Sequence, residues 1–289
     1  MEELLNINVI DQAISIVAPR KSGKSHLLTY MLLNSIDLNN FDQEKKPTIL
    51  ITILCQSLID ANSYFQLYIH TILDEIGYTS SSLEALDLIS QFSIRDHLKQ
   101  EVIHKLTTNE SDHLIKTVLM TFIKFMVKNR LCTRTNKRKY VDTRFYFNGS
   151  IAPEILNKLC SSQFNSQRQR KYIIIVDDVK SDSYRSIRPN INYIYEQGRH
   201  HGIAAVIVDQ YIKSTKVPPE IRLTSSHLMF RAFDENIRKE ICNLCVFDKS
   251  QLDLENIRNL INEYYAIVID LSNKSKLFYI KAPAKLFSQ

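Results

Sequence analysis

Ala18-Pro19-Arg20-Lys21-Ser22-Gly23-Lys24-Ser25 is the stretch whose residue types and spacing carry the most chemistry. A glycine followed by lysine and serine, set between an apolar run and a helical pattern, suits an anionic polyphosphate. Gly23 keeps a Cβ out of the way of phosphates. The loop N–H groups and the positive end of the following helix face them. Lys24 brings a mobile charge to the terminal oxygens, and Ser25 a hydroxyl to Mg²⁺. The pattern is that of a P-loop with Ala18 in place of its first glycine, which serves if the φ of Ala18 stays negative. The ligands expected of it are ATP and Mg²⁺.

Such a loop needs an acid to hold Mg²⁺ through water. Tyr172-Ile173-Ile174-Ile175-Val176 followed by Asp177-Asp178 is the matching strand, with carboxylates at its C-terminal edge, where α/β sites form. Asp177 is the expected Mg²⁺ partner. Asp178 stands where the water-polarising glutamate usually stands, one methylene shorter. The bland alternative is that the pair caps the next turn. A third strand, Ile203–Val208, runs into Asp209-Gln210, and Gln210 is either a sensor of the γ-phosphate or an ordinary loop residue.

The elements that must carry these groups follow from hydrophobic patterning. Ala13–Val17 reads as the strand before the loop and Lys24 to about Ile36 as the helix after it. Thr48–Leu54 is a second strand. From about Ser57 to Lys128 the spacing of Leu83, Leu86, Ile89 and of Leu114, Val118, Phe122, Phe125 predicts three inserted helices. A helix is expected near Ser183–His200 and another near Glu235–Leu244. Strands are expected near His227–Phe230, Tyr264–Asp270 and Lys276–Ile280. Strands alternating with helices imply a mostly parallel sheet covered on both faces. The expectation is one α/β domain over residues 1–289, with a helical and basic insertion at about 57–147.

The chain has 289 residues, 44% hydrophobic and 24% charged, enough for a full core. No run approaches the roughly 18 apolar residues of a membrane span. The acidic N-terminus lacks the features of a signal peptide, so a cytosol-like compartment is expected. Five cysteines without regular spacing agree with reduced thiols. Cys242 and Cys245 form a CxxC in a helix end, read as buried thiols rather than zinc ligands recruiting His200, His201 or His227. The net charge of +6 is unevenly placed. Lys128, Arg130, Arg134, Lys137, Arg138 and Lys139 form one basic cluster with Arg144 just beyond; Arg168, Arg170 and Lys171 form another. Each is a solvated face or a contact for phosphate backbones. Tyr140, Phe145, Tyr146 and Phe147 beside the first cluster read as a half-buried hairpin, or as stacking groups for bases.

From the loop strand to roughly Ile221 the chain resembles the FtsK–HerA superfamily, and within it the genome-packaging ATPases of large DNA viruses. The specific stretches are Gly198-Arg199-His200-His201-Gly202-Ile203, Val206-Ile207-Val208-Asp209-Gln210-Tyr211 and Pro218-Pro219-Glu220-Ile221-Arg222. The resemblance implies a RecA-like P-loop NTPase in which the glutamine strand lies between the P-loop and Walker B strands. It implies a homo-oligomeric ring that translocates double-stranded DNA, with a capsid or portal component as partner, in the host cytoplasm or a viral factory and in association with virions. Arginine in the loop also resembles phage terminase motors, but the stretch after Arg222 is too short for their nuclease domain. A motor without its own cutting activity is expected.

A ring ATPase needs a cation from the neighbouring subunit for the charge that grows on the γ-phosphate. Arg199, at a helix end expected near the active edge of the sheet, is the first candidate and Arg222 the second; an ordinary surface ion pair is the alternative for Arg199. Two competing functions remain: a P-loop kinase, and a nucleotide-dependent DNA-binding or assembly factor with little turnover.

Overall fold

The computed structural model describes residues 2–3, 7–19, 21–38, 48–55, 78–80, 128, 132–134, 141–147, 156–157, 161, 170–177, 179, 181–210, 219–232, 234–244, 253–263, 265–272 and 276–283. Their strands are β1 (Glu2–Glu3), β2 (Ala13–Val17), β3 (Thr48–Cys55), β4 (Tyr78–Ser80), β5 (Cys132–Arg134), β6 (Val141–Phe147), β7 (Arg170–Asp177), β8 (Ile203–Asp209), β9 (His227–Phe230), β10 (Tyr265–Asp270) and β11 (Lys276–Lys281). Helices α1 (Lys24–Leu38), α2 (Ser181–Gln197), α3 (Pro219–Thr224), α4 (Glu235–Leu244) and α5 (Leu254–Asn262) connect them, with a 3₁₀ turn at Gly198–His201.

Nine strands form one sheet in the order β1-β11-β10-β9-β2-β8-β7-β3-β6. From β9 to β6 every neighbour is parallel. β10 runs antiparallel between β9 and β11. β8, which leads into Gln210, lies between β2, which leads into the Ala18–Ser25 loop, and β7, which ends in Asp177, the order that the resemblance implies.

Alternation along the strands separates two buried faces. On one, Tyr172, Ile174, Val176, Ala205 and Ile207 pack against Tyr184, Ile187, Ile191, Ile194 and Tyr195 of α2. Val17, Leu228, Phe230, Ile267 and Ile269 continue that face beneath Ile237 and Ile241 of α4 and Ile257 of α5. The alternate residues Ile14, Ile16, Ile173, Ile175, Val206, Met229 and Val268 are buried as well. Both faces are therefore covered, and the strands read as continuous apolar runs because neither side meets water. The Tyr195 hydroxyl, buried in this layer, donates to Ile14 O of β2 and accepts from Ile207 N of β8. Its burial pushes the phenol far above its ordinary titration range, so it stays a neutral donor.

Gly198 ends α2 where the chain turns into β8. A Cβ there would lie 2.5 Å from Ile203 O and 2.9 Å from Ile194 Cγ2. The backbones meet too closely for any other residue, which fixes how α2 enters the sheet.

Two expectations change. The insertion is not helical throughout: Tyr78–Ser80 is a strand, paired antiparallel with Cys132–Arg134 in a separate two-stranded sheet. Its Tyr-Thr-Ser sequence favours an extended chain over the helical period of its surroundings. The remaining helices expected there lie outside the described residues, apart from helical Lys128. The aromatic segment is not a hairpin arm. Val141–Phe147 is the edge strand of the main sheet, parallel to β3 with Ile49 opposite Val141 and Cys55 opposite Phe147.

Candidate nucleotide site

The C-terminal ends of β2, β8 and β7 bring the predicted residues to one edge of the sheet. Val17 is opposite Asp209, and Asp177 opposite Val208. Beyond Val17 the chain stays tied to β8, for Ala18 N donates to Asp209 O at 2.8 Å. Ala18 is fully buried. Pro19 is exposed, and Ser22 N donates back to Pro19 O at 3.4 Å, closing the turn. Arg20 lies outside the described residues.

Lys21 and Gly23 both have positive φ, +60° and +77°. Gly23 adopts this freely, but for a lysine the left-handed region costs on the order of 1 kcal/mol. Strain at this point is what a loop wrapped around an anion requires, and it is held by the strand before it and the helix after it. α1 begins at Lys24, with its first helical bond from Leu27 N to Gly23 O at 3.0 Å. The loop and the N-terminal end of a 15-residue helix therefore face the same space.

Asp177 ends β7 on the α1 side of the sheet. It is 1% exposed. Ser25 Oγ donates to its Oδ2 at 3.1 Å, and Lys24 Nζ lies 3.3 Å from its Oδ1 as an ion pair. A hydroxyl and a carboxylate oxygen, both hard donors, meet beside the loop, which is the donor set Mg²⁺ takes. The residues present thus fit the metal. Asp178, expected to polarise water, lies outside the described residues.

Gln210 follows β8 directly and is half-buried, its N–H donating to Asp209 Oδ1 at 2.6 Å. It stands at the tip of β8, between β2 and β7. Arg222, in α3, is buried at 7% exposure.

The expectation that Arg199 lies near the active edge is overturned. Arg199 sits in the 3₁₀ turn before Ile203, at the start of β8, whereas the loop adjoins the end of that strand at Asp209. The seven residues of β8 put about 20 Å between the two edges. Arg199 is exposed and does not share the site of its own chain. Lys171 is also at that opposite edge and is committed to an ion pair with Asp11. His201 stacks on Tyr193 with ring centroids 6.4 Å apart. Cys242 is a half-buried free thiol, Cys245 lies outside the described residues, and among the described residues no cluster suited to a metal ion forms from His, Cys, Asp and Glu.

Arg231 was not foreseen. Its N–H donates to Val17 O at 3.0 Å, and its Nη1 donates to Gly23 O at 3.3 Å. Only an alternation count along β9 could have hinted at it, by setting Arg231 one residue past a buried strand that the sheet places beside β2.

No protein-family model matches the sequence, and no curated protein matches it significantly. Solved structures do. The genome packaging NTPase B204 from Sulfolobus turreted icosahedral virus 2, in complex with ATP-gammaS, is similar at a TM-score of 0.50 and 14% identity, over 96% of this chain and 100% of that one. B204, the DNA-packaging ATPase from Sulfolobus turreted icosahedral virus, aligns at 0.48 and 13%, again over 96% and 100%. EssC (ATPases 2 and 3) from Geobacillus thermodenitrificans aligns at 0.43 and 12%, over 96% of this chain and 40% of that one. With the first of these the chain shares an α/β P-loop NTPase fold, a mostly parallel sheet covered by helices.

Proposed function

We propose that this chain is an ATP-hydrolysing motor of the FtsK–HerA kind that translocates double-stranded DNA and packages a viral genome. The observation that carries the reading is the convergence of Lys24, Ser25 and Asp177 beside a strained loop, next to the strand that ends in Gln210. A neighbour of the same fold is a genome packaging NTPase in complex with ATP-gammaS, which supports nucleotide binding and the packaging role.

In this reading the N–H groups of Ala18–Ser25 and the end of α1 bind the phosphates. Lys24 leaves Asp177 for the γ-phosphate oxygens, where it neutralises developing charge. Ser25 and Asp177 would hold Mg²⁺, which when bound would neutralise phosphate charge. Asp178 accepts a proton from the attacking water as its oxygen bonds to the γ-phosphorus and the bond to the β–γ bridging oxygen breaks, releasing ADP. Gln210 orients that water or senses the γ-phosphate.

Arg199 serves a neighbouring subunit. At about 20 Å from its own loop it acts in trans or not at all, so the role requires a homo-oligomeric ring. Arg170 opens β7 and Val141 opens β6 at this same far edge, and in sequence Arg168 and Lys139 of the basic segments each stand two residues before those positions. DNA in a ring channel would be followed through such segments by its phosphates alone. A capsid or portal component is the expected partner, in the host cytoplasm or a viral factory. Among the described residues, no helix is long and apolar enough to cross a membrane.

Stimulation of ATP turnover by duplex DNA tests the reading. A motor speeds up on duplexes of any sequence. Turnover indifferent to DNA favours an assembly factor, and phosphoryl transfer to a small acceptor favours a kinase.

A further inference from the structure

We propose that Arg231 is a positioning residue for the nucleotide of its own subunit, fixing the Gly23–Lys24 peptide and adding a permanent positive charge behind the phosphate loop; this rests on the reading that Ala18–Ser25 binds ATP. β9 flanks β2 on the side away from β8 and β7. Arg231 N continues that pairing past the last strand residue by donating to Val17 O. The residue is 6% exposed, and Nη1 reaches Gly23 O at 3.3 Å.

That carbonyl accepts twice, from Leu27 N at 3.0 Å as the first helical bond and from the guanidinium as a charge-assisted one. A trans peptide points its N–H opposite its C=O. With Gly23 O held by Arg231 and the helix, Lys24 N–H is turned the other way, toward the side from which a phosphate approaches. Arg231 thus sets the direction of one cradle donor and reinforces the positive helix end.

The same contact explains Gly23 a second time. Besides its φ of +77°, a Cβ at this position would lie 3.1 Å from Arg231 Nη1. The loop and the arginine occupy adjacent space with no room for a side chain between them. Lys24 and Arg231 divide the work: Lys24, which reaches Asp177, can move with the γ-phosphate, whereas Arg231 is buried and fixed. Arg199, at the opposite edge, has no part in it.

Steady-state kinetics on the full chain test this. Arg231→Gln keeps most of the buried stem and an N–H donor but loses the charge. The expected result is a KM for ATP raised by about tenfold or more with kcat within about threefold, the signature of lost binding common to ground and transition states. Arg231→Lys should recover part of the affinity, because charge returns without the fork; a role in packing alone would leave lysine no better than glutamine. At ATP well below the raised KM, mixing Arg231→Gln with Lys24→Ala protein should restore no activity, since both lesions damage the subunit's own site.

An unchanged KM in Arg231→Gln, with a normal thermal midpoint in the absence of nucleotide, overturns the proposal. So does recovery of activity on mixing, which would make Arg231 a trans-acting finger. If Arg231→Gln does not fold, Arg231→Lys carries the test, with a raised KM expected and a wild-type KM overturning. Wild-type protein that binds no ATP by calorimetry would instead refute the loop reading itself, a result distinct from all of these.

Discussion

Ser25 Oγ donates to Asp177 Oδ2 at 3.1 Å across 152 positions of sequence. The first turn of α1 and the end of β7 thus meet directly. Ser25 stands in the first turn of α1, which follows β2, and Asp177 ends β7; only β8 separates those two strands in the sheet. Lys24 at 3.3 Å from the other carboxylate oxygen completes a compact group in which each charge has its counterpart.

From this pair comes a division of labour between adjacent acids. Asp177→Asn should weaken Mg²⁺-dependent ATP binding, because a carboxylate oxygen is replaced by an amide. Asp178→Asn should bind ATP about normally and lose on the order of 10²–10⁴-fold in turnover. Titration of a fluorescent ATP analogue with and without Mg²⁺, beside steady-state rates, separates the two. Wild-type turnover in both variants would remove the strand from the mechanism.

The place of Arg199 at the far end of β8 makes its role testable by mixing. Arg199→Ala should keep nucleotide binding and lose roughly 10³-fold or more in rate. Combined with Lys24→Ala protein it should regain activity, since a mixed ring can join an intact loop to an intact finger. A confirmed oligomer with no recovery at any mixing ratio would give the finger to another residue. Arg222 is the weaker substitute because it is buried.

DNA contact by the basic segments predicts a salt signature. Each phosphate neutralised contributes about −0.9 to the slope of log affinity against log salt. Replacing Arg134, Lys137, Arg138 and Lys139 with glutamine should flatten that slope equally for unrelated duplexes and lower DNA stimulation while basal ATPase survives. A wild-type slope in the quadruple variant would make this cluster a solvated surface.

His227, opposite Asp270 in the β9–β10 pairing, gives a prediction on stability. Burial pushes its pKa below the ordinary histidine value, outweighing the carboxylate of Asp270, which pulls the other way. The unfolded chain therefore binds the proton more readily. Stability is complete above the unfolded value of about 6.5 and falls as pH drops through it. Thermal midpoints between about pH 7 and 5 should decline less in His227→Gln than in the wild type; parallel declines would assign the pH dependence elsewhere.

Much of the sheet was legible. β2 and β9 have the predicted ends, and β3, β7, β8, β10 and β11 differ by one or two residues, because strands buried on both faces read as unbroken apolar runs. β1 was missed: two glutamates pair with β11 at the sheet edge and carry no apolar signal. α5 was missed although Asp253 caps it, accepting from Glu255 N and Asn256 N. Its apolar residues Leu254, Ile257, Leu260 and Ile261 recur at helical spacing, but over 9 residues, too short a run to stand out from its surroundings. In the site, the residues of the loop and of β7 were readable because their chemistry lies in short local motifs. The distance of Arg199 from the loop and the contact of Arg231 with it were not. Both depend on which strand end meets which, and the bond from Arg231 to Gly23 spans 208 positions.

The central claim is that Ala18–Ser25 binds ATP for hydrolysis, and ATP turnover by the purified chain beside its Lys24→Ala variant tests it most directly. Lys24 brings a mobile charge of the loop to within 3.3 Å of Asp177. The account predicts measurable turnover in the wild type and loss of all of it in the variant, with both proteins equally folded. Wild-type turnover in Lys24→Ala would contradict the account.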